Sequence, residues 1–195
     1  MFAHIERSQL NWYEAHLLLL SIPRRFNFSI VHELLEKFGP ASISEKQSKL
    51  EYMGLQKQLN TGIDILHWDV EKAAYTIDEL IRNIFFIYQQ LHHPSLFMDM
   101  HRYLAQRNQQ LATEVTGSGS VRYLCEYLYH SAQDRDTQIA EAMLQSIKQK
   151  FSNMSSDVKI QFTEQFMQDE GLQEILRQHY KNVYLYIKEH IGTEE

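Results

Sequence analysis

The sequence predicts an all-α protein, a multi-helix bundle of about eight helices around one buried central helix. Helix caps and stop signals recur along its 195 residues, and 44% hydrophobic with 23% charged residues is typical of a globular protein. Residues 77–91 carry apolar side chains at helical spacing on more than half of the circumference, so several neighbours are expected to cover this helix. The residues of that pattern are Ile77, Leu80, Ile81, Ile84, Phe85, Tyr88 and Leu91, with Phe86 and Ile87 beside them.

The first two helices are bounded by caps and prolines. Ser8 can cap a helix that Pro23 ends, because proline lacks an amide hydrogen and disfavours helical geometry in the residue before it. The second helix begins near Asn27 or Ser29 and ends at the Gly-Pro pair 39–40. The apolar faces are Leu10, Tyr13, Leu17 and Leu20 in the first helix and Ile30, Val31, Leu34 and Phe38 in the second.

The middle of the chain is predicted to be helical as well. A capping box at residues 44–47 predicts a third, more polar helix that ends at about Leu59. Residues 63–91 are long enough for one helix or two, and a second capping box at residues 76–79 favours a break near Tyr75.

A stop signal and a loop follow this segment. The His-His-Pro sequence at residues 92–94 ends it, and Ser95 caps the next helix. The Gly-Ser segment 116–120 has the composition of a flexible loop. The chain is therefore interpreted as one helical domain over 1–195, or as two subdomains over 1–115 and 121–195 joined by that loop.

Four helices are predicted after the loop. They begin at Val121, after Asp134 or Asp136, after Ser155 or Ser156, and at Leu172. The second and third have apolar faces made of Ile139, Met143, Ile147 and Phe151, and of Val158, Phe162 and Phe166. The last is expected to run to about Ile191 and to carry a heptad-like seam of Leu172, Leu176, His179, Val183, Tyr186 and His190.

Composition excludes several classes of protein. A net charge of -6 and a sequence pI near 5.9 argue against a broad electrostatic grip on nucleic acid. The single cysteine, Cys125, cannot form an internal disulfide, which favours a reducing, cytoplasmic location. We expect no signal peptide and no membrane association, because no window approaches the roughly 20 apolar residues that span a bilayer.

Two clusters of potential metal ligands are interpreted as structural. Asp64, His67 and Glu71 would share one face of a helix, but three ligands from a single helix rarely enclose a metal, so a solvated charged face is favoured. The histidine pair 92–93 and His101 lack zinc-site spacing, and the pair suits a helix C-terminus. We therefore predict no metal site and no cofactor.

Arg122 and His130 lie eight residues apart on one predicted helix. The pair is similar to the arginine–histidine motif of HEPN ribonucleases, which are all-helical. Seven residues intervene here rather than four to six, and Tyr123 replaces the polar residue that usually follows the arginine. The resemblance implies RNA cleavage by these two side chains. Cys125, on the same helix, is expected to be a buried small apolar residue.

Arg24 and Arg25 are the candidate nucleic-acid contacts. They lie in a turn between two short helices, and the segment from Leu20 to the Leu-Leu-Glu-Lys-Phe-Gly-Pro sequence at 34–40 resembles the helical N-terminal module of DNA-processing proteins of the DprA type. The resemblance implies N-terminal helices that contact DNA. The length of the chain also suits a regulator in which such helices are followed by a helical region for dimerisation or sensing. The other interpretation of a two-residue basic cluster is a solvated loop.

The candidate protein interface lies in the last helix, where tyrosines, which suit binding surfaces, stand near histidines. Its residues are Tyr180, Tyr184, Tyr186 and His190. Tyr180 and Tyr184 fall beside the predicted seam, so at least one is expected to be exposed. The preferred interpretation is a non-enzymatic protein–protein interaction or regulatory module whose partner is another protein. A homodimer, a DNA-associated transcriptional regulator and a HEPN-like ribonuclease stay open as alternatives.

Overall fold

The computed structural model describes residues 12–39, 59, 60, 64–70 and 73–191. In this part of the chain it contains nine helices and one two-stranded hairpin, which confirms the all-α fold class. The helices are α1 (Trp12–Leu20), α2 (Phe28–Phe38), α3 (Glu79–His92), α4 (Pro94–Glu114), α5 (Gly119–Ser131), α6 (Thr137–Asn153), α7 (Ser156–Gln168), α8 (Glu170–His179) and α9 (Lys181–Ile191), and the strands are β1 (Leu66–Asp69) and β2 (Ala74–Ile77).

The chain divides into two compact units, Met1–Met100 and His101–Glu195, here called unit 1 and unit 2. The division falls inside α4 and not at the Gly-Ser segment. The predicted cap at Ser8 and all but the end of the predicted third helix lie outside the described residues. No helix in the described part of the chain is long and apolar enough to cross a bilayer.

Unit 1 is built on the packing of α1 against α2 and α3. The α1 residues 15–20 are all buried, as their run of leucines requires. The N-cap of α2 is Asn27, as predicted, because its side chain accepts a hydrogen bond from the Ile30 amide at 3.1 Å. Gly39 follows the last turn of α2, also as predicted. The buried face of α2 is Val31, Leu34, Leu35 and Phe38.

In the described part of the segment predicted to be a helix over residues 63–74, the structure has β1 and the start of β2, which together form the hairpin. Its strands pair antiparallel, with Leu66 opposite Ile77 and Trp68 opposite Tyr75. The first pair is buried, whereas Trp68 is exposed. Aromatic and β-branched residues suit a half-buried strand, and this preference together with the pairing outweighs the helical spacing of the same segment.

Tyr75 also joins the hairpin to the turn before α2. The Phe26 amide donates to the Tyr75 carbonyl at 3.0 Å, and the Tyr75 amide donates to the Phe26 carbonyl at 2.7 Å. The break predicted near Tyr75 is therefore present, as a strand. The predicted cap at Thr76 is wrong, because Asp78 caps α3 by accepting from the Ile81 amide at 3.2 Å.

The prediction of a buried central helix is wrong. Only Gln89 is buried among the residues of α3, and Phe86 on its packed side meets the Phe97 ring edge-on with centroids 4.9 Å apart. Large apolar side chains on its other side are exposed. Sequence periodicity shows which faces of a helix are apolar, but it does not show how many of them have a neighbour to pack against.

Unit 2 packs α5 to α9 and the end of α4 around one hydrophobic core. The N-cap of α6 is Asp136, one of the two predicted, and Ser155 precedes α7 as predicted. The predicted α6 face is confirmed for Met143, Ile147 and Phe151, which are buried. Three phenylalanine rings pack together in this core. The Phe162 ring centroid lies 5.1 Å from that of Phe151 and 6.0 Å from that of Phe166.

The Gly-Ser segment is shorter as a loop than predicted. Gly117 has a positive φ of 66°, which favours glycine, but α5 already begins at Gly119. The Ser120 hydroxyl donates to the Gly117 carbonyl at 2.7 Å, so the serine closes the turn into the helix.

The predicted last helix is two helices, α8 and α9, that meet at Tyr180. The break changes the seam: the buried residues are Leu172, Leu176, Tyr180, Val183 and Ile187. The predicted seam is therefore correct for three of its members and wrong at His179, Tyr186 and His190. Tyr180 takes the buried position because its hydroxyl finds a backbone acceptor there, the Asp134 carbonyl.

Candidate functional site

Five exposed large apolar side chains of unit 1 lie on one face of α3. These side chains are between 43% and 71% exposed. We call this surface the α3 stripe, and it consists of Leu80, Ile84, Ile87, Tyr88 and Leu91. Large apolar side chains scattered singly over a surface are normal, but five on one helical face form a contiguous patch of the kind found at binding sites.

The spacing of the α3 stripe is that of a helix-pairing seam. Leu80, Ile84, Ile87 and Leu91 recur at intervals of four, three and four residues, as do the a and d positions of a coiled coil. The flanking Asn83 and Gln90 are exposed and uncharged. This signal was present in the sequence, where the same residues were assigned to a core.

The hairpin presents a second apolar patch in unit 1. The Tyr75 ring contacts Trp68 with centroids 4.7 Å apart and Phe28 with centroids 5.7 Å apart. Trp68 and Phe28 are themselves exposed, and so is Val70 in the hairpin turn. These contacts hold the rings in fixed orientations, so the patch contributes rigid aromatic surface next to the paired strands.

The predicted tyrosine interface does not form one exposed face. Tyr180 is buried, which removes it from the candidate surface. Tyr186 is half-buried, stacks on His190 with centroids 3.9 Å apart, and lies 5.6 Å from the Lys148 ammonium. Tyr184 is half-buried and lies under the Lys188 ammonium at 5.9 Å.

Tyr184 also lines a shallow cleft on unit 2. The cleft has a volume of about 380 Å³. Two carboxylates and one guanidinium stand on its wall, and Glu174 is paired with Arg177. Its lining residues are Glu170, Gln173, Glu174, Arg177 and Tyr184. Of the predicted interface, this part alone combines an accessible tyrosine with acidic groups.

A buried polar cluster lies inside unit 2, and sequence reasoning missed it. The Nδ1 atoms of His101 and His130 are 2.9 Å apart, and the two rings are 0% and 1% exposed. The Glu126 carboxylate lies 3.7 Å from Nε2 of His130. A pair of imidazoles can share a proton, but these rings are closed to solvent and to any substrate, so their arrangement supports structure rather than catalysis.

The neighbouring Asp134 joins three elements of unit 2. Its carboxylate accepts from Nε of Arg102 at 2.6 Å, and its backbone carbonyl accepts from the Tyr180 hydroxyl. Burial raises the pKa of the Tyr180 phenol, and the nearby Asp134 and Asp136 carboxylates raise it further. The contacts of Asp134 with Arg102 and Tyr180 therefore fix the end of α5 against α4 and against the junction of α8 with α9.

The pair that resembles the HEPN motif is separated by its surroundings. The Arg122 guanidinium is exposed and stacks over the Tyr123 ring at 4.5 Å, whereas His130, two turns later, points into the buried cluster. Cys125, between them on α5, is buried, as predicted. The two side chains thus differ in access to solvent. A substrate phosphate could contact both of them only if both were accessible.

The remaining predicted site residues belong to unit 1. Arg24 and Arg25 are half-buried in the turn between α1 and α2. His67 and Asp64 are exposed and 3.8 Å apart, while Glu71 lies outside the described residues. Where the structure describes the chain, no three His, Cys, Asp or Glu side chains come together in a way that could hold a metal ion.

No protein-family model, curated protein or solved structure matches this chain. Its function is therefore inferred from its own surfaces, among which the α3 stripe presents five exposed large apolar side chains on one helical face.

Proposed function

We propose that the protein is a non-enzymatic protein-interaction module and that the α3 stripe is its binding surface. The observation that carries this proposal is the exposure of five large apolar side chains along one face of a 14-residue helix. Exposing such a face to water is unfavourable, and a partner that covers it removes that cost.

The chemistry of the stripe specifies the partner. Aliphatic side chains at coiled-coil spacing match the apolar face of an amphipathic helix, whose side chains pack between those of α3. Full burial of a leucine or isoleucine contributes about 1.5–3 kcal/mol. The five side chains are already partly covered, so closing the stripe contributes several kcal/mol to binding.

The opposite side of α3 keeps the stripe in place. Gln89 is buried there, and its side-chain amide donates to the Leu18 carbonyl of α1. Phe86 packs against Phe97 on the same side. The helix is therefore held from one side and available from the other, which is the arrangement a docking helix needs.

The test is a substitution that leaves the fold intact and spoils the stripe. The Ile84→Glu variant places a carboxylate at an exposed position in the middle of the stripe, and Ile160→Glu on α7 is the matched control, since Ile160 is 51% exposed and Ile84 is 58% exposed. Partners captured from the source lysate by the wild-type chain are identified, purified and titrated. We expect Ile84→Glu to weaken binding about 100-fold and Ile160→Glu to leave it unchanged. Equal affinity of all three chains would contradict the proposal.

The cleft beside Tyr184 supports a second contact surface for the same class of function. Its two glutamates and its tyrosine suit a partner segment that carries Lys or Arg next to an apolar side chain. The Tyr184→Ala variant and the charge reversal Glu170→Lys test it. If this cleft is the binding surface, both variants weaken partner binding, while Ile84→Glu does not.

The buried lone cysteine, Cys125, supports a reducing compartment, and we propose a cytoplasmic location for the protein.

A further inference from the structure

We infer that the occupant of the α3 stripe is the same stripe of a second copy of this chain, bound antiparallel across a twofold axis. The inference rests on the proposed function, since it names the partner of that surface. It is carried by a symmetry in the four exposed aliphatic residues of α3, which occur in the same order from either end of the helix.

The four aliphatic residues of the stripe are palindromic in spacing and in residue type. The intervals of four, three and four place Leu80 and Leu91 at equal distances from a centre between residues 85 and 86, and Ile84 and Ile87 likewise. In a twofold interface, if residue i contacts residue j, then j contacts i. An antiparallel pair therefore sets Leu80 against Leu91 of the second copy and Ile84 against Ile87, so every aliphatic side chain meets one of its own kind.

The exposed residues around these four aliphatic side chains form pairs under the same symmetry. Glu79 and His92 are equidistant from the centre, and so are Asn83 and Tyr88, and all four are exposed. An antiparallel pair places the Glu79 carboxylate near the His92 imidazole of the second copy and the Asn83 amide near the Tyr88 hydroxyl. A parallel pair would instead place Glu79 against Glu79, like charge against like charge.

The small size of the surface indicates a weak, reversible pair. A helix of 14 residues is about 21 Å long, and one helical face on each copy gives an interface at the small end of the known range, below about 1,200 Å² in total. Such interfaces belong to reversible complexes. We expect a dissociation constant of roughly 1–100 μM.

The experiment is sedimentation velocity on the full chain between about 1 and 500 μM, which brackets that constant. The wild-type chain is expected to shift from 23.2 kDa toward twice that mass as concentration rises. Ile84→Glu is expected to stay at 23.2 kDa throughout, and Ile160→Glu to dimerise as the wild type does. Circular dichroism shows that each variant is folded.

Disulfide cross-linking tests the orientation. In a Cys125→Ala background, a mixture of the Ile84→Cys and Ile87→Cys chains is expected to form a disulfide-linked heterodimer on mild oxidation. Leu80→Cys alone is expected not to cross-link, because two copies of position 80 stand about 16 Å apart along an antiparallel pair, too far for a disulfide. Cross-linking of Leu80→Cys to itself would indicate a parallel pair and overturn the inference.

The outcomes separate the inference from the proposed function. A dimer that Ile84→Glu abolishes supports both. A monomer at all concentrations, with a different protein whose binding Ile84→Glu weakens, overturns the inference and leaves the proposed function standing. A monomer with no partner sensitive to Ile84→Glu overturns both. A dimer that Ile84→Glu leaves intact overturns the inference, since the second copy then binds elsewhere.

Discussion

The Nδ1 atoms of His101 and His130 lie 2.9 Å apart, and both imidazole rings are buried in unit 2. The ring planes are inclined by 49° with centroids 5.0 Å apart. At this distance one Nδ1 must carry a hydrogen and the other must accept it, so the two rings adopt complementary tautomers. The Nδ1 atom of each histidine is thus the hydrogen-bond partner of the other, although the two residues are 29 positions apart in the sequence.

We predict that the two histidines are energetically coupled. His101→Leu and His130→Leu each leave a buried imidazole nitrogen without its partner ring, which lowers the free energy of unfolding by about 1–3 kcal/mol. The double variant removes both polar groups and is expected to cost less than the sum, with a coupling of about 0.5–3 kcal/mol. Urea denaturation of the wild type, the two single variants and the double variant gives the coupling energy as a double-mutant cycle. His179→Leu, at an exposed histidine, is the control. Strictly additive losses would show that the two rings act independently.

Tyr180 gives the protein a sensitivity to alkaline pH. Burial raises the pKa of its phenol above the ordinary value of 10.0, and the Asp134 and Asp136 carboxylates act in the same direction. Above pH 10 the unfolded chain releases this proton while the folded chain retains it, so the stability that is complete below pH 10 declines as pH rises toward the folded pKa. Tyr127, whose phenol pKa burial also raises, adds to the decline.

The variant Tyr180→Phe separates these contributions. At neutral pH it is expected to lose about 1 kcal/mol, from the hydrogen bond to the Asp134 carbonyl. Between pH 10 and 11 its melting temperature is expected to fall less steeply than that of the wild type, because only one of these two phenols, that of Tyr127, still contributes to the decline. The half-buried Tyr184→Phe serves as the matched control. If the melting temperature of Tyr180→Phe fell with pH as steeply as that of the wild type, Tyr180 would not be a source of the alkaline sensitivity.

Features that depend on neighbouring residues alone were predictable from the sequence. The caps at Asn27 and Asp136 were each one of two predicted candidates, because a side chain that bonds an amide two or three residues later needs no tertiary partner. The buried positions of α6 from Met143 to Phe151 were predicted for a similar reason, since one helix carries the whole periodic pattern.

Features that depend on distant residues were not predictable in this way. The hairpin needs the pairing of Leu66 with Ile77, and the break at Tyr180 needs an acceptor 46 residues earlier. The histidine pair has the same character: His101 and His130 were each noted as candidates, but in separate clusters. For α3, the sequence showed an apolar helix and left open which of its faces are covered.

Cys125 is predicted to be unreactive in the native protein. Its thiol is 0% exposed in the core of unit 2, so a thiol reagent such as dithionitrobenzoate must wait for an opening of that core. We expect the native reaction to be at least ~10³-fold slower than in urea-unfolded protein, as set by the unfolding equilibrium. Ser118→Cys, at an exposed turn position in a Cys125→Ala background, is the control for full reactivity. Comparable rates at both positions would place Cys125 at the surface.

Gln89 is predicted to be replaceable by an apolar side chain of similar size. Its Nε2 donates to the Leu18 carbonyl, which also accepts from the Ser21 hydroxyl at 2.8 Å, and its Oε1 has no hydrogen-bond partner among the described residues. Gln89→Leu therefore leaves the carbonyl with one donor and removes an unsatisfied buried atom, so the free energy of unfolding is expected to change by less than about 1 kcal/mol.

The smaller substitution Gln89→Ala should behave differently, because it opens a cavity between α1 and α3 where Gln89 is fully buried. A loss of about 2–3 kcal/mol is expected, as for other large-to-small changes in a packed core. Urea denaturation of the two variants makes the comparison. If leucine proves as damaging as alanine, then the amide hydrogen bond to Leu18, and not the volume of the side chain, holds α3 against α1 with its stripe facing outward.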